Sequence, residues 1–145
     1  MFDLIVKGGT LPDGRVADVA ILGDRIAEIA PNIEFETRKV IDATGDLVSP
    51  PFVDPHFHLD ATLSFGTPRV NASGTLVERA LSYCDWAASM GLLAIRSHVD
   101  TTPDHLNTVT AMLEVREKVK EYIDLQLVAF PQDGLYRSKT GRDNV

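Results

Sequence analysis

The chain has 145 residues, enough for one ordinary domain that buries roughly 70% of its unfolded surface. Its 44% hydrophobic and 24% charged content is that of a globular protein and excludes disorder as the default. A formal charge of −7 leaves no basic stripe to neutralise phosphates, which excludes nucleic acid and anionic membranes as partners.

No stretch reaches the apolar length of a bilayer span. Met1-Phe2-Asp3 opens without a basic region and an apolar signal core, so the chain reads as cytoplasmic. The single cysteine, Cys84, allows neither an intrachain disulfide nor a thiolate zinc cluster. It sits in an apolar helical pattern and reads as a buried packing residue rather than a reactive thiol.

The first fifty residues predict short strands. Leu4-Ile5-Val6-Lys7 ends at Gly8-Gly9, a turn follows at Pro12-Asp13-Gly14, and Ala17 to Leu22 alternates. Gly23-Asp24 then turns the chain into Arg25 to Ile29. Lys39 to Asp42 and Leu47-Val48 flank a turn at Thr44-Gly45-Asp46. Such Gly-Asp and Asp-Gly turns are the strongest short-range hairpin signal. Residues 1–49 are read as a small all-β unit.

Pro50 and Pro51 cannot both sit inside a ladder and mark a joint. Beyond it, strands and helices alternate. Phe52 to His58 predicts a buried strand. Val77, Ala80, Leu81, Cys84, Ala87 and Ala88 recur at helical spacing, closed by Gly91 as a left-handed cap. Leu92 to Val99 predicts a second buried strand. Thr102 is read as the cap of a helix with Pro103 in its first position and Leu106, Val109 and Leu113 on one face. Ile123 to Phe130 predicts a third strand, ended by Pro131. Apolar strands alternating with helices imply a parallel sheet covered by helices, an α/β arrangement.

The chemistry gathers in Pro51-Phe52-Val53-Asp54-Pro55-His56-Phe57-His58-Leu59-Asp60. On a strand, His56 and His58 are two apart and share a face. Two imidazoles projecting together can both reach one divalent cation. Two polar residues bonded to backbone at a strand end would give the same pattern. The carboxyl end of the first strand of an αβ alternation is where barrel enzymes keep their chemistry.

This stretch resembles the amidohydrolase superfamily, whose first barrel strand carries His-x-His. Gly66-Thr67-Pro68, Asn71 to Leu76, Arg96-Ser97-His98-Val99-Asp100, Ala111 to Val115 and Ile123 to Gly134 narrow the resemblance to cytosine deaminases. It covers nearly the whole chain. It implies the N-terminal part of a (β/α)8 TIM-like barrel in residues 50–145, holding the first three β/α units, preceded by half of a small β-sandwich. By resemblance, His56 and His58 are metal ligands, Gln132 hydrogen-bonds the substrate ring and Leu76 contacts it through the main chain. A side-chain amide such as Gln132 offers one acceptor and two donors to a mixed edge. Without the resemblance it reads as a loop residue. His98 and Asp100 alternate on one strand, either orienting ligands or water or forming a satisfied core pair. His105 is read as solvated.

The resemblance implies one divalent metal ion, zinc or iron first, since imidazole alone does not choose between metals. Hydrolytic deamination of cytosine or a related heterocycle, such as isocytosine, creatinine or an aminotriazine, is the implied reaction. Hydroxide held on the metal attacks the amino-bearing ring carbon and ammonia leaves. The small-molecule substrate is the partner, and a homo-oligomer the complete form. Ring-opening amide hydrolysis of the hydantoinase or dihydroorotase kind also begins with His-x-His. A non-catalytic piece that only pairs with other chains is a third reading. The His-x-Glu, Pro-Cys-x-x-Cys deaminases are excluded because Cys84 stands alone.

Two departures from the family pattern shape the expectations. The ligands of the fifth, sixth and eighth strands, and the general acid–base glutamate, have no positions here. No catalytic acid or base is therefore assigned. Three-eighths of a barrel leaves an open strand edge, so the 145 residues alone are expected to be inactive. Leu76-Val77 also joins segments that relatives separate by a loop and part of a helix. With no N-cap evident ahead of Val77, either a break in the chain or an omitted loop is expected there.

Overall fold

A computed structural model describes residues 1–63, 74–137 and 139–145. The chain forms two compact units, Met1–Pro50 and Pro51–Val145. The sequence signatures Gly66-Thr67-Pro68 and Asn71-Ala72-Ser73 lie outside the described residues.

The first unit is a four-stranded sheet of β1 (Leu4–Thr10), β2 (Val16–Leu22), β3 (Arg25–Ala30) and β4 (Val40–Asp42), in the order β3-β2-β1-β4. The β1/β2 and β2/β3 pairs are antiparallel, whereas β4 runs parallel to β1. Gly8-Gly9 does not end β1 as expected from sequence. The strand passes through it by a bulge between Val6 and Gly9, with Gly8 at φ +68°, a conformation open to glycine. Leu47 makes only a single bridge, to Thr10.

Asp18, 4% exposed, accepts from the N–H groups of Gly8 and Ile33 and pairs with Lys7 at 3.1 Å. Burial raises its pKa, but the amides of Ile33 and Gly8 and the Lys7 ammonium outweigh burial and hold it below the usual carboxylate value. A depressed folded pKa contributes stability above the unfolded value and loses it as pH falls. Acid unfolding below about pH 4 is expected to be shallower in Asp18→Asn, read by circular dichroism against pH.

The second unit is a parallel sheet of β5 (Phe52–Phe57), β6 (Leu92–Asp100) and β7 (Asp124–Phe130), in that order. One face of β6 and β7 is covered by α1 (Leu76–Ser89) and α2 (Asn107–Val119). Ile95, Val99 and Leu125 meet Ala80, Cys84, Met112, Val115 and Val119 in one core. The α2 stripe is therefore Met112, Val115 and Val119, with Val109 beside it. Leu106 and Leu113, expected on that stripe, are 39% and 43% exposed.

Three local expectations are corrected. β5 is not buried: Phe52 and Val53 are 63% and 65% exposed, because β5 is an edge strand and the helices pack over β6 and β7. From β5, Phe57 reaches the core, stacking on Tyr83 of α1 at 4.6 Å. Thr102 and Pro103 do not start α2, which begins at Asn107 after Leu106. Thr102 is instead held by the strand-end loops, its N–H on Asp100 Oδ1 at 2.8 Å and its Oγ1 accepting from Asp133 N–H at 3.2 Å.

The third correction is the N-cap of α1, which stands immediately ahead of Leu76-Val77. Thr75 caps α1, accepting from Glu78 N–H at 3.2 Å, and Glu78 accepts from Thr75 N–H at 2.7 Å. This reciprocal capping box satisfies two donors at once. Gly91 follows the helix at φ +82°, as its spacing predicts. Thr75→Ala is expected to lower stability by about 1 kcal/mol, measured by urea unfolding; an unchanged midpoint would deny the cap its role.

Candidate active site at the strand ends

The parallel register puts the carboxyl ends of β5, β6 and β7 at one edge, with Asp100 paired to Phe130. Ile95, Ser97 and Val99 point to the helices, so the alternate residues Arg96, His98 and Asp100 occupy the other face. Toward the amino ends Arg96 donates to Gln126 Oε1 at 3.0 Å. The histidines lie at the carboxyl end.

His56 is exposed on β5 and His58 follows its last residue. Pro55 lacks an N–H, and the β5/β6 register shifts between Asp54 and Phe57. Asp54 Oδ1 accepts from His56 N–H at 3.1 Å and secures that irregular turn of chain. The two imidazole centroids lie 5.5 Å apart. His98 joins them from β6, stacked on His56 at 4.0 Å and 6.0 Å from His58. The Phe130 ring meets both His58 and His98 edge-on, at 5.2 and 5.6 Å.

Beyond His58 the chain makes a single 3-10 turn, Leu59–Ala61. Fully buried Leu59 anchors it, donating its N–H to the buried Ser97 hydroxyl at 3.0 Å. That anchor turns Asp60 inward beside His58, with Asp60 Oδ1 3.8 Å from His58 Nδ1. Sequence reasoning gives Asp60 no role within the motif; its two-residue spacing from His58 is the signal that could have found it.

Asp100 braces the loops. Its Oδ1 accepts from Thr102 N–H and from Gln132 N–H, at 2.8 and 3.3 Å. Burial raises its pKa, while the Thr102 and Gln132 contacts and nearby His58 together hold it below the ordinary value. Gln132 emerges one residue past Pro131, exposed, and among the described residues its side-chain amide has no hydrogen-bond partner. Leu76, the first residue of α1, packs against the helix-side core. His105 is exposed and lies ahead of α2 rather than in its first turn. The structure thus brings His56, His58, His98, Asp100 and Gln132 to one edge.

Burial, then the neighbouring His56 and His58, push the His98 pKa below the usual imidazole value, with a backbone contact to Phe57 pulling the other way. Neutral imidazole is the ligating form. Among the described residues, no group of three His, Cys, Asp or Glu side chains is set to hold a metal ion. His98 lies nearly parallel to His56, at 21°, and so does not converge with it. His56 and His58 fit a divalent cation as two donors of a shell that needs others.

Cys84 is excluded from this chemistry. Burial, then Asp85, push its thiol up to about 11, and it lies in the core of α1. No labelling by a thiol reagent is expected in the folded protein at pH 8, with full labelling after denaturation. No helix among the described residues is long and apolar enough to cross a membrane.

Residues 39–90 match the model of the amidohydrolase family. N-isopropylammelide isopropyl amidohydrolase of Pseudomonas sp. (strain ADP) is 33% identical over 160 residues, covering 93% of this chain and 40% of that protein. Those 160 residues exceed the 145 of this chain, so the relative carries positions with no counterpart here. Allantoinase of Salmonella choleraesuis (strain SC-B67) is 49% identical over 61 residues, 40% of this chain and 13% of that one. The 5-methylcytosine deaminase of Klebsiella pneumoniae, solved with 5-fluorocytosine, superposes with a TM-score of 0.81 at 32% identity, covering 96% of this chain and 39% of that chain. The chain thus spans about two-fifths of the length of the broadest of these relatives.

Proposed function

We propose, for a chain that belongs to the amidohydrolase superfamily, that the protein removes an amino group from a nitrogen heterocycle by metal-dependent hydrolysis. Cytosine and related rings are the substrate class. The observation that carries this reading is the meeting of His56 and His58 at the strand ends, on the same edge as the exposed Gln132. The likeness to a deaminase and to an amidohydrolase of N-isopropylammelide supports it.

His56 and His58 would hold a divalent cation, zinc or iron, with further ligands outside the described residues. When bound, such a cation lowers the pKa of water into the neutral range and so supplies a nucleophile. Recognition and orientation fall to this chain's own residues. Gln132 would meet the ring edge with its amide, and the Asp100 carboxylate holds the Gln132 backbone in place. His98 stacks under His56 and restrains that ring, while Phe130 walls the histidines on one side. Leu76 is retained as a main-chain contact to the substrate.

Ring-opening hydrolysis of a cyclic amide is the second reading, favoured by the allantoinase match. The two separate on product: deamination releases ammonia and keeps the ring, whereas ring opening releases none.

In the complete enzyme, Gln132→Leu is expected to keep its metal and to lose turnover, because the substrate group left unpaired costs about 1–3 kcal/mol. His56→Ala and His58→Ala are expected to lose metal and activity together. Metal stoichiometry is measured beside ammonia release in each variant. A metal-depleted Gln132 variant, or a metal-free His56 variant with full activity, would overturn these roles.

A further inference from the structure

Three buried side-chain atoms have no hydrogen-bond partner among the described residues: Asp60 Oδ1, His98 Nδ1 and Thr101 Oγ1. The carboxylate is the most expensive of the three to leave so, since a buried anion without a partner is costly. The Asp60 side chain is only 9% exposed. Its other oxygen, Oδ2, accepts from Asp100 N–H at 3.2 Å. That bond, together with the Leu59 anchor on Ser97, fixes the carboxylate and leaves Oδ1 directed at His58 Nδ1, 3.8 Å away. Closing this gap by about 1 Å gives an ordinary N–H···O bond and satisfies both atoms. Asp54, the other acid of the motif, already accepts the His56 N–H.

We propose that Asp60 is a positioning residue for His58: it accepts the Nδ1 proton, leaving the Nε2 lone pair to face a divalent cation. The inference rests on the reading of His58 as a metal ligand. Carboxylates that accept the remote N–H of a ligating histidine fix its tautomer and ring angle and raise its basicity. The frame around Asp60 adds a second consequence. Asp60 is tied to the Asp100 N–H, and the Asp100 carboxylate to the Gln132 N–H. The orientation of the ligand and the backbone of the ring-binding amide are thereby referred to one strand end.

The test uses the full protein and zinc alone as the probe, with affinity read by competition against a chromophoric chelator. Asp60→Asn keeps an acceptor for Asp100 N–H but loses the charge. It is expected to bind zinc roughly 10–100-fold more weakly with an unchanged melting midpoint. In the metal-free protein, 15N NMR of the imidazoles is expected to show His58 protonated on Nδ1, and this preference to be lost in Asp60→Asn. Wild-type zinc affinity in the variant, or a metal-free His58 protonated on Nε2 in the wild type, overturns the inference and leaves the functional reading standing. If the variant melts early, the tautomer of the wild type decides alone. A wild-type protein that binds no zinc overturns both.

Discussion

Parallel pairing of β6 with β7 is the constraint on which the rest of the second unit depends. The register runs unbroken from Ala94↔Asp124 to Asp100↔Phe130. Parallel strands end together, so the loops that leave them start from one edge. A one-residue slip would send His98 and Asp100 to the helix face and bring Ser97 and Val99 out. The buried stripe of Ile95, Val99 and Leu125 against Met112, Val115 and Val119 forbids that slip. Packing on one face therefore sets the chemistry on the other.

The features that sequence made legible are those with a strong local cause. Alternating strands and helices, the Gly91 cap and the shared edge of the His-x-His pair follow from period, from a left-handed glycine and from strand direction. Long-range hydrogen bonds were not legible. Thr102 followed by Pro103 is a good helix start by local rules, but the Asp100 carboxylate takes the Thr102 amide and the loop after β7 takes its hydroxyl. A signal that was present went unread at Thr75 and Glu78, whose three-residue spacing is itself a capping box. The third histidine of the cluster was legible as a strand neighbour, while its stacking on His56 depends on the lateral order of β5 and β6. Exposure of β5 was missed because an apolar run does not reveal whether a helix covers it.

The two carboxylates near the histidines illustrate how burial divides labour. Asp100 accepts two backbone donors on Oδ1 and acts as a fastening between loops. Among the described residues, Asp60 keeps one oxygen unbonded. Both are acids of similar position at a strand end, yet it is Asp60 whose buried oxygen faces an imidazole nitrogen, at 3.8 Å. Residue type alone would not separate them; the partners of each oxygen do.

Thr102 has a further consequence. Its amide, hydroxyl and carbonyl engage Asp100, Asp133 and Thr140, so the loops after β6 and β7 share a fastener. Groups that share partners do not respond independently to substitution. Replacements in the first loop will change what the second tolerates. Divergence along this edge would then proceed by paired changes, with the order in which they arise mattering as much as their identity.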